Sequence, residues 1–264
     1  MLHQPKIVNP GAARVGAPKE RIDLEGHGAK WVRYEHEYRY RFAAQYIQDA
    51  VVCECACGSG FGTKLLAEAG ARQIYAFDIA YSAASAAQAA CAGAQVVVGV
   101  ASSYDLPLND SSIDVYISLE TIEHVTQPEK ILSEAIRVLK PSGIFLCSTP
   151  NRSITNAGHP LQHPPLNPFH VFEYNQAEFT EALSRYFGQV EMFGLNYEPR
   201  WKTDLLAGIG SVTPGVVAAR LNQATKLPRL IAHDPEHHRV EPVSMHPQAT
   251  PEYLFGMCML PKKP

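Results

Sequence analysis

The chain has 264 residues, of which 46% are hydrophobic, and a formal net charge of -3 at pH 7. This length allows one large domain with a sizeable core, and the scattered Lys and Arg residues form no basic stripe, so binding along a nucleic acid is not expected. No apolar run approaches the roughly 20 residues that span a bilayer and no signal-peptide core begins the chain, so we expect a cytoplasmic protein.

The N-terminal 22 residues are rich in Pro, Gly and Ala, which predicts a flexible arm over 1-22 and a folded domain over 23-264. Aromatic and charged residues follow in "KWVRYEHEYRYRFAAQYIQ". Their helical spacing predicts one or two amphipathic helices that end near Ala50.

Short apolar runs then alternate with helical patterns. Five strands are predicted, at "VVCECAC", "RQIYAF", "AQVVVGVA", "IDVYISL" and "IFLCSTP". Segments such as "GTKLLAEAG" and "TQPEKILSEAIRVLKPSG" predict helices between them. This alternation is typical of a doubly wound α/β domain, in which helices cover both faces of a mostly parallel sheet.

The C-terminal part has a different pattern. A capped helix is predicted at "NQAEFTEALSRYF", a sixth strand at "GQVEMFGLNY" and a seventh at "PEYLFGMCML". The long connection between the last two strands, at about residues 198-250, is interpreted as an insertion with a helix of its own.

The stretch "CECACGSGFG" joins alternating cysteines to alternating glycines. On a strand, Cys53, Cys55 and Cys57 share one face, which helices cover in a parallel sheet, so the thiols are expected to pack as small hydrophobes. A row of thiols along one strand does not supply the four converging ligands of a zinc site. We therefore expect no metal site there.

The glycines form a G-x-G-x-G pattern, Gly58 to Gly62, between the first strand and the first helix after it. Missing side chains let a ligand approach the backbone and the helix N-terminus. Asp78 ends the second strand, where an acid can hold both hydroxyls of a ribose. Two ligands fit this pattern, a dinucleotide or S-adenosylmethionine.

Several segments, taken together, resemble class I S-adenosylmethionine-dependent methyltransferases. They are "VCECACGSGFG", "YAFDIA", "LPLNDSSIDVYISLETIEHV", "VLKPSGIFLCSTPNR" and "NPFHVFEY". The upstream "YEHEYRYRFAAQYI" resembles a subset associated with bacterial glycan and glycolipid assembly. The resemblance implies a Rossmann-like sheet of seven strands with an antiparallel last strand, and S-adenosylmethionine as cofactor.

The resemblance also implies donor contacts at matching positions. Glu54 is expected to help hold the methionine end of the donor, and Asp78 the ribose. The other implied contacts are Gly58 and Gly60 in the loop, Ile79 beside the adenine, and Ser102 with Ser103 near the adenine amino group. The family usually has Gly-Asp-Ala before its Leu-Pro stretch, whereas this chain has "ASSYDLPL", so an uncharged hydroxyl replaces a carboxylate there.

The aromatic segment near the N-terminus has two interpretations. His36 or Arg39 could meet the donor carboxylate, which would place this helix over the donor site. Otherwise the segment is an amphipathic helix with a solvated charged face. The number of tyrosines favours contact with the site.

On the acceptor side, Glu120 and His124 follow the fourth strand, where this family faces the reacting methyl group. A histidine suits the role of general base because its ordinary pKa is near 6.5. The loop at 152-174 is predicted to line the acceptor pocket or to cover it as a lid, and His170 lies in it. We expect His124 to be the base and His170 to orient the acceptor.

The resemblance thus predicts a methyltransferase that acts on a hydroxyl of a sugar, glycan or glycosylated small molecule. It leaves a homodimer open and predicts no metal and no nucleic-acid partner. Two alternatives stay open. One is an NAD-dependent dehydrogenase, and the other is a non-catalytic nucleoside-binding protein that kept the fold.

Overall fold

A computed structural model describes residues 30-91, 95-159, 164-212 and 239-263. The predicted arm at 1-22 and the stretch VVAARLNQATKL, expected to be the helix of the insertion, lie outside the described residues. A helix over Arg200–Val212 does lie within the predicted insertion at about 198-250. The helices are α1 Lys30–Ala43, α2 Phe61–Glu68, α3 Tyr81–Ala90, α4 Pro128–Val138, α5 Arg152–Thr155, α6 Gln176–Ser184 and α7 Arg200–Val212. The strands are β1 Val51–Cys55, β2 Gln73–Asp78, β3 Val96–Val100, β4 Ile113–Leu119, β5 Leu139–Pro150, β6 Phe187–Pro199, β7 Glu241–Pro242 and β8 Ala249–Pro261.

Eight strands of the described chain form one sheet in the order β3-β2-β1-β4-β5-β8-β6-β7. Strand β1 pairs in parallel with β2 and with β4, and β2 pairs in parallel with β3. Strands β6 and β7 are antiparallel. The predicted Rossmann-like, mostly parallel sheet with an antiparallel end is therefore confirmed. The sheet has one strand more than the seven predicted. The additional strand is β7, whose two residues are too few to predict.

The helix predicted over "TQPEKILSEAIRVLKPSG" ends earlier than its pattern indicates. It stops at Val138, and β5 begins at Leu139, so Lys140 to Gly143 belong to the strand. Pro141 has no N–H and cannot extend the helical hydrogen bonding, so the change to a strand before it is physically reasonable. Among the described helices, none is long and apolar enough to cross a bilayer.

The chain divides into two compact units. The first comprises residues 1-119, 129-146 and 259-264. In its parallel ladder Glu54 lies opposite Ala76 of β2 and Ile117 of β4. Because the carboxyl ends of parallel strands meet at one edge of the sheet, the loops after β1 and β2 are neighbours there.

The second unit comprises residues 120-128 and 147-258. Asn151 accepts a hydrogen bond from the Ser153 amide and donates its own side-chain amide to the Pro251 carbonyl at 2.8 Å. Asn175 begins α6 with a capping box that it shares with Glu178, as the sequence predicts. These caps fix the segments that border the second candidate site.

Candidate active site

The loop after β1 turns through three left-handed residues before α2. Ala56, Gly58 and Gly60 have φ angles of 61°, 57° and 87°. A Cβ at Gly60 would lie 2.8 Å from the Ala87 Cα, so that position needs a glycine on two counts. A Cβ at Gly58 would meet nothing within 4 Å. Open space therefore lies beside the Gly58 backbone, where a ligand can approach.

The third glycine of the pattern serves a different purpose. A Cβ at Gly62 would lie 1.8 Å from Cζ of Tyr40, because the tyrosine ring packs directly on the glycine. Gly62 thus makes room for an aromatic side chain of α1.

Asp78, at the end of β2, ties the loop to the next strand. Its Oδ2 accepts a hydrogen bond from the Gly58 amide at 3.0 Å, and its Oδ1 accepts one from the Ala80 amide at 2.8 Å. The following Ile79 is 75% exposed. The sequence-predicted Gly58, Asp78 and Ile79 are thus neighbours, with a fixed carboxylate next to an accessible apolar side chain.

Glu54 is buried on β1, and both of its carboxylate oxygens are hydrogen-bonded. Oε1 accepts from the Tyr40 hydroxyl at 2.7 Å and Oε2 from the Thr63 hydroxyl at 2.6 Å. Burial raises the pKa of Glu54 to about 7, although the two hydrogen bonds favour the ionised form. Glu54 therefore changes its charge near neutral pH.

Helix α1 supplies Tyr40, whose hydrogen bond to Glu54 the sequence did not predict. Of the residues predicted on α1, Arg39 is buried, and His36 is half-buried. Burial, and then the charge of Arg39, lower the pKa of His36 to about 3, so this histidine is neutral at physiological pH. Thr63 was also missed, and the one signal for it was its place in the first turn of α2.

Ser102 and Ser103 lie in a tight turn after β3. The Ser102 hydroxyl accepts a hydrogen bond from the Tyr104 amide at 3.2 Å, and its carbonyl accepts one from the Asp105 amide at 3.1 Å. Both serines are half-buried. The Ser102 hydroxyl, at the position where the family has a carboxylate, thus already accepts a hydrogen bond within its own turn.

In the second unit, Glu120 has a left-handed φ of 50° and is held by Ser148. The Glu120 amide donates to the Ser148 carbonyl and hydroxyl oxygens, each at 3.1 Å. The Ser148 hydroxyl in turn donates to Oε1 of Glu120 at 2.7 Å. Strained backbone held by several contacts is common at functional sites.

Glu123 is fully buried. Its Oε2 accepts a hydrogen bond from the Thr149 hydroxyl at 3.2 Å, and its Oε1 has no hydrogen-bond partner. Burial, and then the neighbouring Glu120 carboxylate, raise the pKa of Glu123 well above its usual range. The sequence places Glu123 beside His124 but gives no sign that one oxygen lacks a donor.

His124 and His170, both predicted from the sequence, lie together with their ring centroids 4.8 Å apart in an edge-to-face arrangement. Nδ1 of His124 lies 3.1 Å from the Phe169 carbonyl oxygen, which can only accept, so Nδ1 carries the proton. Nε2 of His124 is then a lone-pair nitrogen, 3.9 Å from Oε1 of Glu123.

His170 is held at both ring nitrogens. Nδ1 lies 2.5 Å from Oε1 of Glu173, and Nε2 lies 2.9 Å from Nδ2 of Asn167. The Phe169 amide donates to Oδ1 of Asn167, which fixes the orientation of that amide, so Nδ2 donates to His170. His170 therefore donates from Nδ1 to Glu173, which Thr155 and Asn156 also contact.

A polar cavity of about 750 Å³ opens in the second unit. Asn156 connects this cavity to the histidine pair, because it lines the cavity and contacts Glu173, which binds His170. The other polar side chains in its wall include Asn151, Arg152, His159, Asn175, Gln176, Arg200, Thr203, Asp204 and His246.

All six cysteines are free and buried. Burial raises the pKa of Cys55 to about 12 and that of Cys53 well above its usual range, so both are protonated at neutral pH. Protonated, buried thiols are poor metal ligands, which agrees with the packing role expected for this row.

Comparison with known proteins finds similarity to methyltransferases. Residues 53–147 match a family model described as a methyltransferase domain. A Mycolicibacterium smegmatis protein named "Probable S-adenosylmethionine-dependent methyltransferase" is 38% identical over 161 residues, which are 61% of this chain and 60% of that protein. A protein with the same description from Mycobacterium tuberculosis is 36% identical over 180 residues, 68% of this chain and 62% of its own length.

Solved structures agree on the fold. An S-adenosylmethionine-dependent methyltransferase from Mesorhizobium loti superposes with a TM-score of 0.53 and 16% identity, over 83% of this chain and 96% of that one. The [4+2]-cyclase SpnF has the same TM-score with 13% identity, over 84% and 80%. Likeness at this level shows the fold alone, and the cyclase illustrates that this fold carries more than one reaction.

The chain thus spans about three fifths of the length of the relatives that it matches. Over the matched residues the chain is similar to S-adenosylmethionine-dependent methyltransferases, and these relatives indicate S-adenosylmethionine as the cofactor. The first unit fits such a ligand, because open space at Gly58 lies next to a fixed carboxylate at Asp78.

Proposed function

We propose that this chain is an S-adenosylmethionine-dependent methyltransferase that methylates a hydroxyl group of a sugar, glycan or glycosylated small molecule. The observation that carries the proposal is the loop after β1, with open space at Gly58, Asp78 fixed beside it and Glu54 buried beneath it. The match over residues 53–147 covers this loop and both of its acids.

S-adenosylmethionine, when bound, supplies a methyl group carried on a positively charged sulfur. In the proposal, Glu54 holds the amino group of the methionine end and Asp78 the ribose hydroxyls. Ile79 packs against the adenine, and Ser102 and Ser103 bind its edge. His36 and Arg39 of α1 are proposed to bind near the donor carboxylate.

An alcohol is a poor nucleophile at neutral pH, and a positioned base contributes about 10² to 10⁴ in rate. We assign this role in the metal-free protein to His124, because its Nε2 is a lone-pair nitrogen whose ring is fixed through Nδ1. Glu120 is proposed to add negative charge that would stabilise a protonated imidazole. His170, held at both nitrogens, positions the acceptor.

The polar cavity supports a polyhydroxylated acceptor. Sugar hydroxyls both donate and accept hydrogen bonds, and the amide side chains of Asn151 and Asn156 in the cavity wall can do the same. Asn156 also contacts Glu173, which holds His170, so the cavity wall and the histidine pair share one hydrogen-bond network. Cytoplasmic location stays a prediction.

Calorimetry tests the donor half of the proposal. S-adenosylmethionine or its demethylated product should bind, and NAD should not. Asp78→Ala should weaken binding by about 1 to 3 kcal/mol, the range for leaving buried polar groups unpaired. Asp110→Ala serves as the control, because Asp110 is exposed and pairs with Arg137. Tight NAD binding without binding of the sulfonium compound would identify a dehydrogenase instead.

The acceptor half is tested by turnover. The protein is incubated with labelled donor and a panel of mono- and oligosaccharides, glycosides and non-sugar alcohols, and products are screened by mass spectrometry for a gain of one CH2 unit. Sugar-dependent product supports the proposal. If the donor binds and only non-sugar acceptors are methylated, the sugar assignment is refuted but the methyltransferase activity is supported. Donor binding with no turnover on any acceptor, including crude glycan extracts, would favour the non-catalytic alternative.

A further inference from the structure

Three side chains of the second unit have the composition and spacing of a metal site. Glu123, His124 and His170 each offer one ligand atom, and these atoms all lie within 4.8 Å of one another. Within the described part of the chain this is the one such group, and it includes none of the six cysteines.

The carboxylate of Glu123 gives the first indication of a missing ligand. Its Oε1 is fully buried and has no hydrogen-bond partner in the described structure. A buried polar atom without a partner costs free energy and calls for an explanation such as an ion. The nitrogen of His124 that faces it is 3.9 Å away, too far for a hydrogen bond but close enough for both atoms to bind one ion.

The two histidines are oriented as metal ligands are. A metal-bound histidine usually donates its other ring N–H to a carbonyl or a carboxylate, which fixes the ring. His124 donates Nδ1–H to the Phe169 carbonyl, and His170 donates Nδ1–H to the Glu173 carboxylate. In both rings Nε2 is then the nitrogen without a proton, the form in which a histidine binds a metal.

One contact must change when an ion binds. Nε2 of His170 accepts a hydrogen bond from the Asn167 amide at 2.9 Å, so this amide must withdraw. Ligand atoms about 2 Å from an ion lie at most about 4 Å apart, so a separation of 4.8 Å must close by about 1 Å or more. Side-chain rotation can supply that movement.

We propose that Oε1 of Glu123 with Nε2 of His124 and Nε2 of His170 binds a divalent cation. Two imidazoles and one carboxylate with open positions suit Zn²⁺, Mn²⁺ or Fe²⁺. Binding itself is independent of the transferase activity. The role of the ion rests on the proposed function: an acceptor hydroxyl on an open position loses its proton to water because the ion lowers its pKa, and His124 is then a ligand.

The test is calorimetry with Zn²⁺ and with Mn²⁺ on the chelator-stripped full chain, without donor or acceptor. One ion per chain is expected for at least one of the two metals, with a rise in melting temperature. Glu123→Gln, which keeps the side-chain shape, should weaken binding at least 100-fold. Glu181→Gln, at an exposed ion pair, is the charge-matched control and should change nothing.

Asn167→Ala sharpens the assignment, because it frees Nε2 of His170 and should tighten binding. Absence of stoichiometric binding by wild type, or equal affinity in Glu123→Gln, would overturn the proposal. So would weaker binding in Asn167→Ala, provided circular dichroism shows a folded variant. Because donor binding is measured separately, a failed metal titration leaves the donor half of the proposed function intact.

Discussion

Two buried glutamates differ in how the protein completes their hydrogen bonds. Glu54 of the first unit has a hydroxyl donor on each oxygen, at 2.7 and 2.6 Å. Glu123 of the second unit has one donor, at 3.2 Å, and one oxygen without any. Both are almost completely inaccessible to solvent. Both oxygens of the first carboxylate therefore have donors within the protein, whereas one oxygen of the second has none.

This difference separates two ways of building a site. Around Glu54 the partners come from α1 and α2 of the same unit, so its charge is set by the fold and by pH. Around Glu123, Nε2 of His124 lies 3.9 Å from the carboxylate oxygen that lacks a donor. In the proposals above, an acceptor hydroxyl or an ion binds beside these two atoms.

The largest expected effect is a loss of catalytic rate when the proposed base of the second unit is replaced. His124→Ala should lower kcat about 100- to 10,000-fold at saturating donor and at every acceptor concentration. In chelator-stripped protein, His170→Gln should mainly raise the KM for the acceptor, because that ring positions rather than reacts. Exposed Arg185→Ala is the control. Near-normal kcat in His124→Ala together with a large loss in His170→Gln would exchange the two roles.

An intermediate effect compares the hydroxyl donors of the two glutamates. Thr63 and Thr149 are both fully buried, so Thr63→Val and Thr149→Val are matched changes. Thr63→Val should lower the free energy of unfolding at pH 8 by about 1 to 3 kcal/mol, because it removes a short bond to a charged group. Thr149→Val should cost less, about 0.5 to 1.5 kcal/mol. Urea denaturation measures both, and equal losses would contradict the distinction between the two glutamates.

The smallest effect concerns pH and the donor. If only ionised Glu54 binds the donor amino group, a pKa of about 7 makes binding weaker as pH falls through neutrality. At pH 6, Glu54 is ionised in only about a tenth of the molecules, so the apparent Kd should be about tenfold higher there than at pH 8 or above. Glu54→Gln should bind weakly at both pH values. A wild-type Kd that is flat from pH 6 to 8 would show that the charge of Glu54 does not control donor binding.

The same pKa has a consequence for stability whose sign can be worked out. The folded-state pKa of Glu54 lies above its unfolded value of 4.5, so the folded protein binds more protons between about pH 4.5 and 7. Its contribution to stability therefore declines as pH rises through that window. His36, with a pKa lowered to about 3, acts in the opposite direction, since its contribution falls as pH drops below 6.5.

Much of the fold follows from short-range patterns. Alternating apolar runs and helical segments predict a mostly parallel, doubly wound sheet, because parallel strands need helical crossovers. Glycines before α2 and an acid after β2 predict the neighbourhood of Gly58 and Asp78 for the same reason. The strand β7 has two residues, which is too few for any periodicity.

The rest depends on distances that a pattern does not contain. The tyrosines of α1 were visible, but the contact of Tyr40 with Glu54 requires a ring packed on Gly62. His124 and His170 are far apart in the chain, and their separation depends on how the loop folds. The missing donor at Glu123 is a property of its whole surroundings.

The buried cysteines can be used to measure local unfolding of the protein. Alkylating reagents need an accessible thiolate, so each cysteine reacts only when its surroundings unfold. Cys53, Cys55, Cys57 and Cys91 belong to the first unit, whereas Cys147 and Cys258 belong to the second. Labelling rates measured for each cysteine-containing peptide would therefore give a separate free energy of local unfolding for each unit. Repeating the measurement with a ligand would show which unit that ligand stabilises.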